Sequence, residues 1–99
     1  MIAEIQVLPT PTGTAEHCWT HIEAAIAVVA QSGLEYEVGP LGKSIEGDRD
    51  TLWTTLRRAH EATISAGATS VVTLIKLFDA PGPTPTMAEL TEPHRITAD

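Results

Sequence analysis

Two helical patterns in this chain end the same way, at Ser32-Gly33 and at Ala66-Gly67, and each gives way at once to an alternating strand pattern. A glycine just past the last turn supplies the left-handed residue that closes a helix and returns the chain. Before the first helix, Ala3, Ile5 and Val7 alternate with Glu4, Gln6 and Leu8, a period of two that predicts a strand over residues 2–9, ended by Pro9-Thr10-Pro11-Thr12-Gly13. Thr14 is placed to cap a helix of about five turns in which Trp19, Ile22, Ile26 and Val29 recur at helical steps. Leu34 to Val38 alternates, Gly39-Pro40 breaks it, and Leu41 to Glu46 returns as a partner strand. Asp48 caps a second helix with Leu52, Leu56, Ala59 and Thr63 on its inner face, and Thr69 to Asp79 makes the last strand.

The order strand, helix, strand, strand, helix, strand predicts an α+β, ferredoxin-like βαββαβ sandwich, a four-stranded antiparallel sheet with two helices on one face. A chain of 99 residues builds one core, so residues 1–80 are read as a single ligand-binding domain. Residues 81–99 open with Pro81-Gly82-Pro83-Thr84-Pro85-Thr86 and are read as a flexible, proline-rich C-terminal tail, the other reading being an extended peptide that docks on a partner. In the last strand Val71, Thr73, Ile75 and Leu77 face one way and Val72, Leu74, Lys76 and Phe78 the other, so both faces are mostly apolar. Two helices cover one face only, which predicts a homodimer or homotetramer assembled through the open sheet face.

Composition removes several function classes. The net charge is −7, with six basic residues scattered among thirteen acidic ones, which excludes a nucleic-acid partner held by clustered Lys and Arg. No apolar run approaches the roughly 20 residues that cross a bilayer, so no membrane partner is expected. Met1-Ile2-Ala3-Glu4-Ile5 lacks the pattern of a secretion signal, and Cys18 is the sole cysteine; a cytoplasmic location is the expectation.

The chemistry-bearing residues favour binding over catalysis. His17, Cys18 and His21 cluster at the start of the first helix, but no second ligand pair stands elsewhere, and neither a metal nor a cofactor is expected. His17 and His21 stand near Cys18, but its helical position next to Trp19 reads as a packed thiol, so no catalytic residue is assigned. Gly39, Gly42 and Gly47 match no phosphate cradle, and Asp48 and Asp50 at the next helix start repel phosphate. What remains is Glu46 at the end of the third strand, Trp53 and His60 one heptad apart on the second helix, and Trp19 on the first. Indole rings and a carboxylate suit a flat, nitrogen-rich cation. The plainer reading makes the two tryptophans core and Glu46 a cap on amides of the second helix.

The segments Ser32-Gly33-Leu34-Glu35-Tyr36, Gly39-Pro40-Leu41-Gly42, Ser44-Ile45-Glu46-Gly47, Ala59-His60-Glu61 and Ala66-Gly67-Ala68 together resemble the YkoF-like thiamine-binding protein family over residues 1 to about 79. The resemblance implies a ferredoxin-like domain, assembled through its sheets, that binds thiamine or a related pyrimidine without turning it over. On that reading Glu46 accepts hydrogen bonds, Ser44 is its polar partner, Gln6 reaches in from the first strand, and Trp53 and His60 form the pocket wall. The chain departs from the family at Lys43, where a threonine is usual. Lys43 is read as sharing the strand face of Glu46, where it pairs with Glu46, points along the sheet edge, or redirects the site toward an anionic or neutral heterocycle. The alternative to a small-molecule binder is a structural or protein-interaction module.

Overall fold

The computed structural model describes residues 1–95. Its elements are β1 (Ile2–Thr10), α1 (Thr20–Gln31), β2 (Glu35–Val38), β3 (Lys43–Glu46), α2 (Arg49–Ser65), β4 (Ser70–Phe78) and the short α3 (Met87–Thr91), followed by a single 3-10 turn at Glu92–His94. The strands form one antiparallel sheet in the order β2-β3-β1-β4. This is the ferredoxin-like arrangement, with β1 and β3 central and the long β4 at an edge.

Alternation along β1 divides the sheet into a helix-facing side and an open side. Ala3, Ile5 and Val7 are buried toward α1 and α2 and stand opposite Leu77, Ile75 and Thr73 of β4. Across the other ladder Ala3 meets Ile45 and Ile5 meets Lys43. From the helices, Ala25, Val29, Leu52, Leu56 and Ala59 complete the core. The inner face of α2 is the one its spacing predicts, and Asp48 caps it: one carboxylate oxygen accepts from Thr51 N at 3.0 Å, which holds the Asp48 pKa below the usual carboxylate range.

The first helix differs from expectation. It begins at Thr20, not after Thr14, because residues 12–19 make their own turns. Thr14 Oγ1 accepts from His17 N at 3.1 Å, and Thr12 Oγ1 donates to the Cys18 carbonyl at 2.7 Å. These local bonds satisfy backbone groups that a longer helix would use. The inward stripe is consequently His21, Ala25 and Val29, and Trp19 is 57% exposed. His21 is buried because its Nδ1–H donates to the Pro11 carbonyl at 2.6 Å. His17 and Cys18 lie before the helix, so the two histidines share no helix face.

Both glycine exits are present, Gly33 at φ 80° and Gly67 at φ 127°. A Cβ on Gly67 would also stand 3.1 Å from His21 Nε2. Gly67→Ala is expected to destabilise the fold by about 1–3 kcal/mol, read as an earlier midpoint in urea, since side chains rarely adopt this conformation.

Candidate functional site

The open side of the sheet has two halves of different chemistry. On the β1–β4 half Leu8 stands opposite Val72, Gln6 opposite Leu74 and Ile2 opposite Phe78. Leu8, Val72, Leu74 and Phe78 are all exposed, Val72 at 62% and Leu74 at 50%. One ion pair interrupts them, Lys76 Nζ to Glu4 Oε1 at 3.6 Å. On the β3–β2 half Glu46 stands opposite Glu35, and Ser44 opposite Glu37. Like charges directly opposed across a ladder repel, so this half requires positive or donating partners.

Those partners come from the C-terminal segment. Glu46 Oε2 accepts from the backbone N–H of Met87, the first residue of α3, at 2.9 Å. Arg95 donates to Glu37 at 3.1 Å and also pairs with Glu92. Thr86 caps α3 by accepting from Glu89 N, leaving the Met87 N–H free for Glu46. Glu46 therefore does cap a helix, but α3 rather than α2. A 170 Å³ pocket between the acidic strands and α3 is lined by Glu35, Tyr36, Glu37, Glu46, Ala88 and Arg95 among others. Part of the segment expected as a tail is thus helical and packed on the sheet; residues 96–99 lie outside the described residues.

The six residues singled out in the sequence do not form one site. Glu46, Ser44 and Gln6 share the open side through the register of β1 and β3. Trp53 and His60 lie in the helix layer, where they line a 610 Å³ cleft between α2 and β4 together with Leu56, Arg57, Thr73 and Ile75. There His60 Nδ1 and Thr73 Oγ1 are hydrogen-bonded at 2.5 Å, and Arg57 pairs with Glu61 at 3.5 Å. Volume and apolar walls suit an organic ligand, but among the described residues no carboxylate lines the cleft.

Lys43 corrects a reading of strand parity. It stands three positions before Glu46, so the two side chains point to opposite sides of the sheet, and Lys43 faces the helices beside Ile45. It is 4% exposed, and burial pushes its amine below the ordinary lysine range. It does not reach Glu46, which is left to the donors of the C-terminal segment.

Comparison with known proteins agrees with the fold and extends through the C-terminal segment. Residues 3–95 match the family described as thiamine-binding protein. A UPF0045 protein of Methanothermobacter thermautotrophicus is 31% identical over 78 residues, covering 78% of each chain. Among solved structures, a domain of unknown function, DUF77, from Bacillus cereus superposes with a TM-score of 0.80 at 32% identity, covering 96% of this chain and 91% of that one. A Thermotoga maritima protein named for a suspected part in thiamine biosynthesis or salvage shares the fold, with a TM-score of 0.73 at 20% identity over 96% of this chain and 100% of that one. With the family matched from β1 to Arg95, α3 included, the chain belongs to the thiamine-binding protein family.

Proposed function

We propose that this chain is a non-enzymatic, cytoplasmic binding protein for thiamine or a related pyrimidine, that Glu46 is its principal ligand contact, and that it works as a homo-oligomer. The carrying observation is the Glu46 carboxylate, displayed on the open side opposite Glu35 and engaged, among the described residues, by a single backbone N–H. Thiamine combines an aminopyrimidine, which donates hydrogen bonds, with a cationic thiazolium. A carboxylate accepts the first as a charge-assisted bond, and the surrounding Glu35 and Glu37 favour the second. Ser44 and Gln6, on the same side, supply further polar partners. The family description and the name of the Thermotoga protein support the ligand class. The exposed, free Cys18 fits a reducing compartment, and the apolar half of the open side supports assembly.

In this arrangement the ligand's amino group takes the place of the Met87 N–H, so α3 and the ligand compete for Glu46. That competition is testable with one substitution. Met87 is the first helical residue of α3 and follows Thr86 at φ −79°, ψ 163°, a conformation that proline tolerates before it. Met87→Pro removes the competing donor while keeping the helix start. In calorimetric titrations with thiamine and with hydroxymethylpyrimidine, Met87→Pro is expected to bind more tightly than the parent chain. Glu46→Gln, which keeps the shape and removes the charge, is expected to bind roughly 10- to 100-fold more weakly. Absence of heat with both ligands in the parent chain defeats the proposal.

A further inference from the structure

On the other side of the sheet a separate pocket lies beside Lys43. This 190 Å³ pocket opens where α1 passes the end of the β2–β3 hairpin, walled by Ile22 and Ile26 of α1, Val38 of β2 and Leu41, with Val7 and Lys43 among its other lining residues. Lys43 projects from β3 toward the helices, the side on which the pocket lies. It is 96% buried by residue surface, being 4% exposed, and its amine has neither an ion-pair nor a hydrogen-bond partner among the described residues. Glu4, next to the Lys43 partner Ile5 on β1, lies on the open side and pairs with Lys76, and Glu46 points to the open side as well. No buried side-chain nitrogen or oxygen is sealed from solvent without a partner among the described residues, so the Lys43 nitrogen reaches solvent, and Lys43 is one of the residues that line the pocket.

A lone amine at the edge of an apolar pocket offers an opposite charge a direct ion pair in partly desolvated surroundings. We propose that the Lys43 pocket binds a small monocarboxylate with a short apolar body, the carboxylate on the Lys43 amine and the body among Ile22, Ile26, Val38 and Leu41. A single cation lines the pocket, which suits one negative charge; a phosphate dianion calls for several donors, and the chain's net charge of −7 disfavours it further. The site stands on the opposite side of the sheet from Glu46 and does not depend on the thiamine reading.

The test is calorimetric titration of the full chain with isovalerate and benzoate, beside their uncharged amides and inorganic phosphate, repeated on Lys43→Met. Methionine keeps much of the lysine stem and removes the charge, so this variant is expected to unfold no earlier than the parent chain, which thermal unfolding checks. The expected result is saturable binding of at least one of the acids, none of either amide, and a loss of about 10- to 100-fold in Lys43→Met. No binding of either acid, equal binding of acid and amide, acid binding undiminished in Lys43→Met, or preference for phosphate each overturns the proposal. If Lys43→Met fails to fold, displacement of the Lys43 amine resonance by isovalerate or benzoate in the parent chain decides it, an unmoved signal counting against.

Discussion

Ile5→Ala is expected to remove about 2–5 kcal/mol of folding stability, a large fraction of the roughly 5–15 kcal/mol that holds a domain of this size together. Ile5 is fully buried at the middle of β1, the strand shared by both ladders, and stands between Lys43 of β3 and Ile75 of β4 on the helix-facing side. Truncation there leaves a void that the flanking strands cannot close without abandoning their hydrogen bonds, so relaxation recovers little of the loss. The measurement is urea unfolding followed by circular dichroism. The expected signature is an earlier midpoint with an unchanged slope, because the native fold, and hence the surface exposed on unfolding, stays the same. Parallel measurements at two protein concentrations separate the core from any contribution of assembly, since only the latter varies with concentration. A loss well under 1 kcal/mol would contradict the packing described for β1.

Much of this fold was legible in the sequence because its signals are local. The β1 alternation needs only neighbouring residues, and α2 carries its cap at Asp48 and its inner stripe at Leu52, Leu56, Ala59 and Thr63 within one segment. The start of α1 departs from the sequence pattern because its decisive contact is not local. The His21 side chain is drawn inward by the Pro11 carbonyl, ten residues back, and the stripe rotates so that Trp19 faces solvent. Hydrophobicity alone favoured the tryptophan for the core, yet a histidine with its hydrogen bond satisfied is equally at home there.

The site followed the same division. The parity of β3 was available in the sequence: Ile45 is apolar and buried, so Ser44 and Glu46 point the other way and Lys43 shares the side of Ile45. By that parity Glu46 could not meet residues of the helix layer, and Trp53 and His60 indeed line a separate cleft. The contact between Glu46 and Met87 spans 41 positions and arises from a proline-rich segment without periodicity. Its only local hint is Thr86 three residues before Glu89, the spacing of a capping box, which marks a helix start but not where that helix docks.

The open face yields the second large effect. Leu74→Lys is expected to convert the proposed homo-oligomer into a folded monomer, read as a fall in mass by sedimentation with an unchanged circular dichroism spectrum. Leu74 is half exposed on β4 and sits at the middle of the apolar half, between Val72 and Lys76 on its own strand and opposite Gln6. A lysine there extends into water in a single chain, so the fold tolerates it. In a two-fold interface the same substitution occurs on both partners, and burial of two unpaired ammonium groups is prohibitive. The chain is acidic, and an added lysine moves its net charge from −7 toward zero. Loss of assembly could therefore not be assigned to greater overall repulsion between copies, which falls; it would have to come from the face itself. If the parent chain already sediments as a monomer, or if Leu74→Lys leaves the assembled mass unchanged, association through the apolar half of the sheet is wrong. In that event the exposed row of Leu8, Val72, Leu74 and Phe78 would need a different partner.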